Sequence, residues 1–227
     1  MLYRKSFVML LVILASTRAA SPTAKSVTRA VPKEVKKEIA SQLSDKAVEL
    51  LDDNKKLIAE IWVRKLLPVK ATEAEIKKGL SYRAIKQTTL IGLIRIHQST
   101  LGDYRGQKPK KGLYTMRLGF QPMDGDHMGT APFASFVLLT PAGGDSGKAT
   151  VDYDDLQDES TKASGTGHPC IWLLFPLENK ELKDAPQVSK KFGKHQVLSL
   201  PCDVSVGGKK MGVMGIGLTV VGKSDAA

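Results

Sequence analysis

The sequence predicts a mainly β protein, an antiparallel β-sandwich of jelly-roll or immunoglobulin-like kind with one N-terminal amphipathic helix. Three observations carry this. Tyr114, Met116, Leu118 and Phe120 alternate with Thr115, Arg117, Gly119 and Gln121, the period of two that a half-buried strand requires. Met214, Ile216, Leu218 and Val220 alternate in the same way with Gly215, Gly217 and Thr219. Short apolar runs recur between them, separated by Gly, Pro, Asn and Asp clusters at fairly even spacing, as in all-β domains.

Taken in order, residues 1–19 have the three parts of a secretory signal peptide. Arg4 and Lys5 precede the apolar run Phe7 to Ala15, and Thr17 and Ala19 are the small residues of a cleavage site. The run is short of the roughly 20 residues that span a bilayer. The expectation is a mature chain that is secreted or periplasmic, without a transmembrane segment. Residues 20–31 read as a flexible leader. Over residues 32–54, Val35, Ile39, Leu43, Ala47 and Leu50 form a helical stripe, with Pro32 suited to the first turn.

The β-sandwich domain is expected over residues 55–222, followed by a disordered tail, 223–227. Leu57 to Leu67 is its first strand run. Thr72 and Glu75 form a capping box for a short helical turn. Thr88 to His97 carries apolar residues on both faces, Leu90, Ile94 and Ile96 on one and Ile91 and Leu93 on the other, which marks a central strand. Ala134 to Thr140, Pro169 to Phe175 and His195 to Leu200 are further strand runs. Asp152 to Ser164 reads as a short helix with acids in its first turn and Gly165 as its stop. The glycine face at Gly215 and Gly217 permits close approach of a second backbone.

Lys and Arg number 34 and Asp and Glu 23, a net charge of +11. The signal region holds Arg4, Lys5 and Arg18 and no acid, so removing these three cations leaves +8 on the mature chain. The excess suits an anionic envelope polymer, a glycan or another exported protein as partner; the competing reading is a solvated basic surface with no such partner. It does not favour nucleic acid, because no basic strip is interleaved with aromatics. Two cysteines, Cys170 and Cys202, leave two alternatives open: a disulfide permitted by export, or two buried thiols.

The densest polar stretch runs from Gln121 to Pro132. Asp124, Asp126, His127 and Thr130 concentrate there between two strands, where a binding loop would sit on a rigid scaffold. Asp124 and Asp126 suit a hard cation such as Ca, and His127, joined by the distant His168, suits Zn. The competing reading is a structured turn in which the carboxylates cap backbone amides. Gly144-Asp145-Ser146-Gly147 matches the tetrapeptide around a trypsin-like nucleophile, but no histidine base stands in a matching segment. No complete catalytic set is present. The leading expectation is therefore a non-catalytic binding module, and the alternative a metal-dependent hydrolase built on Asp124, Asp126, His127 and His168.

Four segments carry a resemblance: Tyr82-Arg83 through Thr88-Thr89-Leu90, Gly112 to Leu118, Asp124 to Pro132, and His168-Pro169 with Trp172 to Pro176. Over about Glu60 to Gly222 the chain resembles a family of uncharacterised secreted bacterial proteins. The resemblance implies export and a β-rich domain; it implies no activity and no catalytic residue.

Overall fold

A computed structural model describes residues 21–122, 125 and 129–224 of the chain. The signal segment 1–19 lies outside them. Eleven strands occur among the described residues: β1 (Thr23–Thr28), β2 (Lys46–Leu51), β3 (Leu57–Val63), β4 (Leu67–Pro68), β5 (Leu90–Ile96), β6 (Gly112–Phe120), β7 (Ser135–Pro141), β8 (Ile171–Phe175), β9 (Gln187–Lys191), β10 (His195–Val206) and β11 (Lys209–Val221). Three α-helices accompany them: α1 (Lys37–Ala40), α2 (Glu73–Lys78) and α3 (Tyr153–Ser164). None is long and apolar enough to cross a membrane.

The fold is mainly β, but it is one curled, open sheet in the order β1-β2-β3-β5-β6-β7-β8-β11-β10-β4, with β9 also on β10. The expected two-layer sandwich is not shown; β8 is paired on both edges, to β7 and to β11, and links the strands into that one sheet. Curling follows from β10. Its start pairs antiparallel with β9, and its end pairs in parallel with β4, which follows β3 after only Arg64 to Leu66. The far end of the sheet is thereby returned to β3. Val69 N donates to Ser205 O at 2.9 Å, and the Cys202 thiol donates to Arg64 O at 3.1 Å.

Curling encloses a core from nearly every strand. Ile61, Ile94, Met116, Leu118, Val137, Trp172, Leu200, Ile216 and Leu218 all point inward and are buried. β8 and β11 pair at only two positions, Gly217 with Phe175 and Leu218 with Leu174. The buried Tyr82 closes this seam: its hydroxyl donates to Phe175 O at 2.9 Å and accepts from Gly217 N at 2.8 Å. The glycine at 217 is required there, since a Cβ would lie 2.4 Å from Phe175 O.

The capping box at Thr72, the helix from Asp152 to the left-handed Gly165, and the central position of β5 match the sequence expectations. Other expectations are corrected. The supposed leader 20–31 contains β1, paired along its length with β2. The helix expected over 32–54 is reduced to the four residues of α1, and its last part is β2. The apolar stripe was real: Val35, Ile39, Leu43 and Ala47 are buried together, against Trp62, Leu90 and Leu93 on the outer sheet face. Only Leu50 leaves the stripe, turning into the inner core. Bonds from Ser44 N to Val63 O and along β2–β3 give this backbone sheet partners that outweigh local helix preference. In β5 a bulge between Leu90 and Gly92 shifts Leu90 to the outer face with Leu93 and turns Ile91 inward with Ile94. The supposed tail 223–227 contains an anchored residue, the buried Ser224. Cys170 and Cys202 are free thiols, which corrects the disulfide alternative. Cys170 is turned to Ser160 of α3 through its backbone, whereas the Cys202 thiol faces Arg64. Burial pushes both thiols up, Cys202 to about 12.

Candidate functional site

The outer face of β7 and β8 is apolar and only partly covered. Phe136, Leu138, Ile171 and Leu173 form the floor of a cleft of about 470 Å³. Tyr153 and Gln157, from α3, form one wall. Tyr104 and Arg105 form the opposite wall, and the strap Thr130-Ala131 with Phe133 crosses the mouth. A second cavity of about 480 Å³ lies on the other side of the strap, lined by Phe192, Lys194 and His195 from the β9–β10 hairpin. Tyr104, Thr130 and Ala131 belong to both, so the two cavities share a wall.

Each wall is held by a local bond network. Asp103 turns inward and accepts from Arg105 N, Gln107 N, Gln107 Nε2 and Ile171 N at 3.0, 2.7, 2.6 and 3.2 Å. Burial raises its carboxyl above the usual range in spite of those donors. These bonds tie the turn to β8 and direct Tyr104 and Arg105 towards the cleft. The strap is tied at several points. Gln121 N donates to Ala134 O at 2.7 Å, Gln121 Nε2 donates to Thr130 Oγ1 at 2.7 Å, and Ser224 Oγ donates to Thr130 O at 2.6 Å. Asp152 caps α3 by accepting from Asp154 N and Asp155 N, which sets Tyr153 and Gln157 in place.

Behind the strap is a cluster of rings. His195, 2 % exposed, stacks on Tyr104 at 5.8 Å and tilts on Phe175 at 5.2 Å. Phe192 stacks on Phe133 at 5.9 Å, yet it is 67 % exposed and holds φ at +47°, a conformation costly for a large L-residue.

Of the sequence-predicted site residues, Thr130 and His168 line the same cleft. His168 is exposed, with its backbone fixed by Ser164 Oγ donating to its carbonyl at 2.6 Å and Thr166 Oγ1 accepting from its N–H at 3.1 Å. Asp124, Asp126 and His127 lie outside the described residues. Among the described residues no group of three or more His, Cys, Asp or Glu side chains is gathered to hold a metal ion. Sequence reasoning missed Tyr104, Arg105, Tyr153 and Gln157. Asp103 with Gly106 was the available signal, since an Asp-x-x-Gly turn presents its two middle residues.

The protease-like tetrapeptide is structural. Asp145 is buried against Arg117, whose Nε and Nη2 donate to its two carboxylate oxygens at 2.7 Å each. Thr115 Oγ1 and Gly147 N also donate to Asp145, at 2.7 and 2.8 Å, and Arg117 Nη1 donates to Thr88 O at 2.8 Å. The network ties segment 142–151 to β6. Comparison with protein-family models, curated proteins and solved structures finds no match to this chain.

Proposed function

We propose that this chain is an exported, non-catalytic binding module whose ligand sits in the cleft over β7 and β8. The observation that carries the reading is the cleft itself: an apolar floor on which Phe136 and Ile171 stay half-buried, a polar rim held by hydrogen bonds at Asp103, Gln121, Thr130 and Ser224, and a volume in the range of small-ligand sites. Export rests on the signal pattern at residues 1–19 and on the resemblance to secreted bacterial proteins, which also suits a partner of the cell envelope. N-terminal sequencing of exported protein is expected to begin at Ala20 or Ser21; material retaining Met1 to Ala15 would argue against export.

The test of the cleft uses N-phenyl-1-naphthylamine, a neutral amphiphile that fluoresces when it leaves water. Its emission should rise on mixing with the protein, and Ala131→Trp, which fills the shared wall, should abolish the rise with the circular dichroism spectrum unchanged. A rise that survives in the variant places the dye elsewhere and ends the reading. The metal-dependent alternative is favoured by one observation, that His168 and Thr130 line the same cleft. Stoichiometric Zn or Ca in purified protein, reduced in His168→Ala, would support it.

A further inference from the structure

We infer that the cleft selects an amphipathic anion: an apolar body against the β7–β8 floor and a single acidic head at the mouth, where Arg105 stands with Lys223 beside its turn. The inference rests on the cleft being a ligand site and adds the ligand's charge.

The charge distribution carries it. No acidic side chain among the described residues lines either cavity. Asp103, two residues before Arg105, is 2 % exposed and lines neither cavity, and its two carboxyl oxygens accept four hydrogen bonds, so neither of them is offered to a ligand there. Arg105 itself is exposed and lines the mouth. Lys223, also exposed, runs beside the same turn, its Cδ 3.5 Å from where a Cβ on Gly106 would stand. Neither cation makes an ion pair among the described residues. Among the described residues, therefore, one cation at the mouth and a second beside its turn serve a cleft that no acidic side chain lines. A neutral amphiphile leaves them unused, and a cationic one is repelled. A small hydrophilic acid would satisfy them but leaves the half-buried Phe136 and Ile171 of the floor in water. An anion with a hydrocarbon body satisfies both halves, because charge-assisted bonds to a guanidinium are stronger than neutral ones while the floor contributes by burial.

The experiment is displacement of bound N-phenyl-1-naphthylamine at pH 7 and low salt by four probes below their aggregation limits: decanoate, decanol, decylammonium and glucuronate. Decanoate should displace the dye at about fivefold lower concentration than decanol, the scale expected for partly exposed ion pairs. Decylammonium should be weaker than decanol, and glucuronate inactive. The double substitution Arg105→Gln with Lys223→Gln should bring decanoate to the level of decanol and leave decanol unchanged. High salt should shrink the preference in wild type. Equal displacement by decanoate and decanol, or a preference that survives the double substitution, overturns the acidic head and leaves the cleft reading standing. Displacement by glucuronate as strong as by decanoate overturns the apolar body. Absence of dye binding from the start, or dye that none of the probes displaces, removes the cleft as the ligand site and the inference with it.

Discussion

The most consequential single contact is Arg117 with Asp145, side chains 0 % and 2 % exposed. A buried pair of this kind survives only because every donor is used: Arg117 reaches Asp145, Thr88 O and Lys148 O, and Asp145 also accepts from Thr115 and Gly147. Asp145→Ala would leave a buried guanidinium unpaired and should cost about 3–5 kcal/mol, read from the urea midpoint. Burial alone pushes the Asp145 carboxyl up, but the bonds from Arg117 and Thr115 outweigh it and hold it below the usual value. A carboxyl lowered on folding stabilises the fold above its unfolded pKa, about 3.9, and loses that contribution as pH falls towards its folded value. The stability gap between wild type and Asp145→Asn should therefore be constant from pH 7 to about 5 and narrow below about 4. The sequence displayed Gly144 to Gly147 as a protease-like motif; the partner that gives Asp145 its role lies 28 residues earlier in the chain, on another strand.

At the scale of elements, the strands with strict alternation were legible because one face of each meets a single core. Leu118, 0 % exposed between β5 and β7, is a clear case. Leu118→Ala should lower stability by about 2–5 kcal/mol, measured by denaturant melts. A change under about 0.5 kcal/mol, the scale of surface substitutions, would contradict the inward orientation. Helices α2 and α3 were legible through caps, which act within four residues. β1 and β9 were not. Their residues are mostly exposed or half-buried, so no hydrophobic period marks them, and backbone pairing with β2 and β10 defines them. The stripe from Val35 to Ala47 shows the converse. Its apolar spacing foretold burial but not conformation, since a short helix followed by a strand buried the same side chains.

Across the whole molecule, β1 protects the edge of the sheet. Trp62 Nε1 donates to Arg29 O at 3.0 Å, and the Arg29 guanidinium is paired with both Glu49 and Glu60. Glu49 and Glu60 face each other across β2 and β3, so the cation that follows β1 also relieves their repulsion. A chain beginning at Lys33 should expose the edge of β2 and self-associate, seen as a mass above the monomer by light scattering, while one beginning at Ser21 stays as it is. Equal behaviour of the two chains would mean that β1 carries none of this protection.

The sequence by itself determined the mainly β class, the position of the long strands, the caps of α2 and α3 and the interest of Thr130 and His168. All of these follow from periods and caps that act over a few residues. Only the tertiary structure decided that the strands join in one curled sheet, that Cys170 and Cys202 stay free thiols, and that Tyr104, Arg105 and Tyr153 line one cleft with Thr130. Those outcomes depend on which strands pair and how far the sheet turns back on itself. Pairing is settled by contacts between residues distant in the chain, and no local pattern encodes them.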